Sequence, residues 1–181
     1  MKHSHPKERP TFWVTAAILS CACPMAFVAS LYASRVDIRN GQFYVDNEPY
    51  YVRGVGYAPW RPHQRPGVSY ADTNRRWSEL DFERMKAAHV NTLRTWEPLS
   101  SEELALADKY GLMVLQGIRL DSTQDFSDPH NQDSAVEQVE AVARASKDAG
   151  NILGYIVMAE PSPKAVVESG EEATLQYFRR L

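Results

Sequence analysis

One glutamate stands at the end of a long apolar stretch, in Ile152-Leu153-Gly154-Tyr155-Ile156-Val157-Met158-Ala159-Glu160-Pro161. A carboxyl group held there in a cleft can protonate a leaving-group oxygen and later take a proton back. The same position equally suits a solvated glutamate that caps the turn before the next helix. Arg94 holds the matching place in Asn91-Thr92-Leu93-Arg94-Thr95-Trp96. Its guanidinium can orient a carboxylate through charge-assisted hydrogen bonds, or make a structural ion pair under the same cleft. Trp96 and Trp60, with Tyr57 close by, offer flat rings for stacking a sugar, although tryptophans at such places are as often ordinary core. Arg119 and Asp121 are the remaining charged residues at such ends. The candidates are therefore Glu160 as a catalytic acid/base, and Arg94, Trp96, Tyr57 and Trp60 as substrate-binding residues.

Other chemistries fail on spacing. Gly54-Val55-Gly56 begins like a dinucleotide fingerprint, but Pro59 stands where the third glycine belongs and no helix starts there. The five histidines, His3, His5, His63, His89 and His130, never fall at helical i, i+4 spacing. Asp121, Asp125, Asp128 and Asp133 lack the glycine and the spacing of an EF-hand, and read as a solvated loop. Neither a metal nor a cofactor is expected. The net charge of −3, with signs interspersed, speaks against a nucleic-acid partner.

The elements that must position the candidates follow from periodicity. Asn40-Gly41 is a two-residue turn signal between Val36-Asp37-Ile38 and Phe43-Tyr44-Val45, and Asp46-Asn47-Glu48-Pro49 is a second turn. Strands are expected near 51–57, 90–96, 112–115 and 152–158, the last apolar enough to be buried on both faces. Between them fall helices over roughly 71–88, from Ser100 to a stop at Gly111, and through Val136, Val139 and Ala143 to a stop at Gly150. Ser100 with Glu103 and Ser169 with Glu172 are capping boxes, the second opening a helix through Leu175 and Phe178. Strand–helix alternation of this kind implies parallel strands joined by right-handed crossovers, in a doubly wound sheet or a (β/α) barrel. In either, function gathers at the carboxyl ends of strands, where the candidates lie.

Residues 1–33 stand apart. Lys2, Lys7 and Arg9 precede an apolar run from Phe12 to Ala33 that is long enough to cross a bilayer. This predicts a membrane anchor or a cleaved signal, with Ser34 onward outside the cytoplasm, periplasmic, cell-surface or secreted. Both cysteines, Cys21 and Cys23, lie within this run, so no disulfide or thiolate metal site exists beyond it. Residues 34–181 suffice for one domain with a core.

The chain resembles the glycoside hydrolases of clan A, in particular the family 2 catalytic domains and the envelope-anchored β-1,3-glucanosyltransferases. The resemblance rests on Tyr51-Val52-Arg53-Gly54-Val55-Gly56-Tyr57, Asp81-Phe82-Glu83-Arg84-Met85-Lys86 and Val90 to Trp96. It continues through Leu106 to Val114 and Ile152 to Pro161. It implies a (β/α)8 TIM-type barrel, of which residues 34–181 make the first four β/α units after a small β-hairpin. It also implies a glycoside hydrolase or transglycosylase of retaining mechanism, acting on extracytoplasmic β-linked polysaccharide. By position Glu160 is the acid/base glutamate, and Arg94 steadies the active-site carboxylates. Two departures stand out. Ala159 replaces the usual asparagine, which contacts the sugar 2-hydroxyl, and the nucleophile belongs to a seventh strand beyond the four present. The chain is accordingly expected to be part of a longer protein and inactive alone. The alternative is a membrane-tethered glycan-binding or scaffold module on a degenerate barrel.

Overall fold

A computed structural model describes residues 34–64 and 71–181. The anchor or signal expected over residues 12–33 lies outside them; among the described residues no helix is long and apolar enough to cross a membrane.

The chain opens with a three-stranded antiparallel meander, β1 (Val36–Arg39), β2 (Gln42–Val45) and β3 (Glu48–Tyr50). Both of its turns are two residues long with positive φ at both positions, Asn40-Gly41 (50° and 76°) and Asp46-Asn47 (51° and 68°). This is the mirror-image turn that matches strand twist, and asparagine, aspartate and glycine tolerate it best. The second turn is shorter than the sequence suggests: Glu48 and Pro49 belong to β3, where proline is harmless because the strand is an edge.

A four-stranded parallel sheet follows, in the order β4 (Gly54–Tyr57), β5 (Thr92–Thr95), β6 (Met113–Gly117) and β7 (Ile152–Ile156). The order is sequential, as in a barrel wall, and excludes a sheet that reverses direction at its first strand. Helices α1 (Ala71–Ala87), α2 (Ser101–Lys109) and α3 (Pro129–Ala145) make the crossovers, and α4 (Pro163–Ser169) and α5 (Glu171–Arg180) follow β7.

Tyr50 Oη donates to the Asn91 carbonyl at 2.6 Å, and the Ser34 amide donates to the Gly150 carbonyl at 3.0 Å. These bonds tie the meander to the amino ends of β5 and β7, opposite the end that carries Glu160.

Two apolar clusters hold the layers together. Tyr57, Phe82, Leu93, Leu104, Ala107 and Val114 pack the sheet against α1 and α2. Ile118, Leu120, Phe126, Ala135, Ala165 and Tyr177 pack the loop after β6 against α3, α4 and α5.

Three expectations need correction. The strand at β7 is not buried on both faces: it is the last strand of the sheet, and Tyr155 is 38 % exposed with its hydroxyl 2.8 Å from that of Ser146. Helix α3 stops at Ala145, short of Gly150, with Ser146 as its C-cap; it opens where Asp128 accepts a hydrogen bond from the His130 amide and Pro129 occupies the first turn. Ser169 does not cap a helix; it ends α4, an element the apolar periodicity did not reveal, and Gly170 at φ 85° makes the corner into α5.

Candidate functional site

Parallel strands in register bring their side chains into rows, each row facing one side of the sheet. Gly56, Arg94, Leu115 and Gly154 are register partners across β4 to β7 and so share a face, the one turned away from α1 and α2. Trp96, two residues after Arg94, continues that face, and the Arg94 guanidinium lies 4.1 Å from the centre of its ring. Gly56 makes the room: a Cβ there would come within 2.6 Å of Trp96 Cη2. Gly117 is required more strictly, since its Cβ would meet the Thr95 carbonyl oxygen at 2.4 Å, backbone that cannot swing away.

Beyond these carboxyl ends lies an open cleft of about 1320 Å³. It brings together Glu160, Arg94, Trp96 and Trp60, along with Arg119, Asp121, Gln124 and Ala159. Glu160 is exposed, and Trp96 keeps 47 % of its surface in solvent. Among the described residues the Arg94 guanidinium has no carboxylate partner, so a half-buried cation faces the cleft with only an indole against it. The Trp60 loop is fastened from behind by an Arg61–Asp81 ion pair, with Arg61 also 5.5 Å from the Trp77 ring.

Tyr57 is not among the lining residues. One residue past Gly56, it points to the opposite face of β4, into the layer beneath α1. There it is 5 % exposed, packs edge-on against Phe82 at 5.1 Å and bonds Ser78 Oγ at 3.0 Å. Burial pushes its phenol up to about 12, with the Ser78 bond pulling the other way.

The charges around the rim have identifiable occupations. Arg119, at φ 58° in the left-handed region, pairs with Glu97 and so links the loops after β5 and β6. Asp121 accepts from the Thr123 amide at 2.8 Å and its hydroxyl at 2.7 Å, bonds that hold its carboxyl below the usual range. Asp125 does the same with Ser127, Asp128 caps α3, and Asp133 pairs with Arg180 at 2.7 Å. Each carboxylate of the polar loop thus has a local structural task.

Gln124 and Gln138 are cleft residues that sequence reasoning passed over. Nothing in period or motif distinguishes them from other polar loop and helix positions.

Residues 36–160 match the family described as glycosyl hydrolases family 2, TIM barrel domain. A curated β-glucuronidase from Streptococcus agalactiae is 24% identical over 162 residues, covering 81% of this chain and 25% of that protein. Among solved structures, the β-glucuronidase of Ruminococcus gnavus bound to C6-substituted uronic isofagomine superposes with a TM-score of 0.65 at 19% identity. That alignment covers 81% of this chain and 25% of the other. The apo form of that enzyme gives 0.61 at 20% identity, over 81% of this chain and 26% of the other. The chain therefore spans about a quarter of the length of these relatives, and the structural likeness concerns the fold. By the match over residues 36–160, the chain belongs to glycosyl hydrolase family 2, through its TIM barrel domain.

Proposed function

We propose that the chain supplies the acid/base half of a retaining β-glycoside hydrolase or transglycosylase of the clan A type. The observation that carries this reading is a single cleft holding Glu160 with Arg94, Trp60 and Trp96 at the carboxyl ends of parallel strands. Glu160 gives its proton to the glycosidic oxygen as the bond from that oxygen to the anomeric carbon breaks. A second carboxylate, about 5–5.5 Å away in retaining enzymes, takes the anomeric carbon. Glu160 then accepts a proton from the water or sugar hydroxyl that displaces this carboxylate. Arg94, free of an ion pair among the described residues, is suited to steady the second carboxylate. Asp121 is not assigned to that role, because Thr123 already occupies its oxygen; we assign the role to the remaining half of the barrel.

The substrates are β-linked glycans outside the cytoplasm. Residues 12–33 are the proposed signal or anchor, and β-glucuronides are the first class to try because the relatives are β-glucuronidases. Ala159 favours a second reading, a tethered module that holds glycan without cleaving it.

The test is titration of the full chain with D-glucuronic acid and with a laminarin-type glucan, following tryptophan fluorescence. We expect a saturable change with one of them, weakened about three- to tenfold by Trp96→Ala through lost stacking. A chain that responds to neither sugar would sink both readings.

A further inference from the structure

The loop between β6 and α3 is fastened to the segment that carries Glu160. The Ile118 amide donates to the Ile156 carbonyl at 3.0 Å, and the Leu120 amide to that of Val157 at 3.2 Å. Beyond the glutamate, the Ser162 amide donates to the Ser122 carbonyl at 2.8 Å. Main-chain bonds therefore flank Ala159 and Glu160 on both sides, and whatever the loop presents to the cleft is held in step with the glutamate.

Besides Arg119 and Asp121, which have partners of their own, the loop presents Gln124 to the cleft. Its Nε2 donates to Tyr177 Oη at 2.6 Å. Tyr177 belongs to α5 and has no exposed surface; its ring packs against Phe126 at 5.0 Å and edge-on against Phe178 at 5.2 Å. An amide anchored on a buried phenol has lost its rotamer freedom before any ligand arrives, which lowers the cost of binding. No described residue bonds Gln124 Oε1. Turned the other way, the amide would accept from the phenol and offer its N–H instead, and a sugar hydroxyl suits either arrangement. The residue just before Glu160 in the chain, Ala159, also lines the cleft but is a methyl group with nothing to offer a hydroxyl.

We infer that Gln124 is a substrate-contacting residue that hydrogen-bonds a hydroxyl of the sugar beside Glu160, with Tyr177 as the positioning residue behind it. The inference rests on the glycan reading of the cleft and adds a specificity determinant to it. Neutral amides that neither charge nor move are what discriminates among hydroxyl patterns: a site built to bond a hydroxyl rejects the analogue lacking it more strongly than shape alone allows.

The experiment uses the full chain and D-glucuronic acid with its single-deoxy analogues, read by tryptophan fluorescence, with thermal melts in parallel. Gln124→Met keeps the side chain's length and removes its amide. The expected result is a loss of affinity of about three- to tenfold toward D-glucuronic acid, the range of one neutral hydrogen bond. The loss should disappear for the one analogue that lacks the contacted hydroxyl, the signature of a direct contact. Tyr177→Phe should weaken binding about two- to threefold with Gln124 intact. A purely structural Gln124 would lower the melting temperature and weaken every analogue alike, which overturns the inference. Equal affinity of wild type and Gln124→Met for all sugars overturns it too, while leaving the glycan reading standing. Absence of any binding by wild type, to these sugars and to a laminarin-type glucan alike, overturns both; binding of the glucan alone overturns the inference and leaves the glycan reading standing.

Discussion

At the residue scale the site depends on small groups that make way for large ones. Gly56→Ala should push the Trp96 ring off its seat and break its stack on Arg94, because the added methyl would lie 2.6 Å from Cη2. The expected cost is about 1–3 kcal/mol in a denaturant titration, with a shifted Trp96 emission. Gly117→Ala should cost more, since the obstacle there is the Thr95 carbonyl rather than a ring that can tilt. Tyr57 gives a prediction in pH. Its folded value of about 12 lies above the usual tyrosine value of about 10. Between these limits the folded chain keeps a proton that the unfolded chain has released, so stability falls as pH rises. The contribution is fully present below about pH 10 and gone above about pH 12; it amounts to about 2–3 kcal/mol. Tyr57→Phe should flatten that part of the alkaline limb in melts recorded from pH 9 to 12. An unchanged limb would show that Tyr57 titrates normally.

At the element scale the two apparent capping boxes do different work. Ser100 Oγ accepts from the Glu103 amide at 3.2 Å, and the Glu103 carboxylate accepts from the Ser100 amide at 3.0 Å. Ser100→Ala should therefore destabilise by about 1 kcal/mol in chemical denaturation. Ser169 Oγ instead accepts from the Phe126 amide at 2.8 Å and donates to Asp125 at 3.1 Å. It staples the end of α4 to the loop that also carries Gln124. Ser169→Ala should leave helix content unchanged in circular dichroism while raising hydrogen exchange at the Phe126 amide. Faster exchange through α5 instead would show that the serine caps that helix after all.

At the scale of the whole molecule, among the described residues β4 and β7 each have one neighbour in the sheet and one edge with no strand paired to it. Unpaired edges template further pairing, and apolar surface left uncovered favours association. Residues 34–181 produced alone should therefore form concentration-dependent assemblies in sedimentation experiments. They should also fail to turn over aryl β-glucuronides, aryl β-glucosides or laminarin-type glucans. General acid catalysis contributes only about 10²–10⁴-fold, well below whole-enzyme accelerations, and no second carboxylate is assigned within these four units. Turnover that vanishes in Glu160→Gln would mean that the four units hold a complete site, contrary to this expectation.

Local chemistry made much of this readable beforehand. Asn40-Gly41, the Ser100–Glu103 pair and Gly111 at φ 69° act within a few residues of themselves, so turns, caps and helix stops are legible in one dimension. The alternation of apolar runs with such signals implied parallel strands but left a doubly wound sheet and a barrel both open; the resemblance chose the sequential order that β4 to β7 take. Sidedness was not legible. Tyr57 and Gly56 are adjacent in an apolar strand, and which of them faces the cleft depends on the register of Gly56 with Arg94, a bond pattern between segments far apart in the chain. The destination of the Ser169 hydroxyl and the pairing of Gln124 with Tyr177 are decisions of the same kind, made by atoms 43 to 53 residues away. A polar side chain with several acceptable local partners takes the one that packing brings within reach, and only the assembled layers determine which that is.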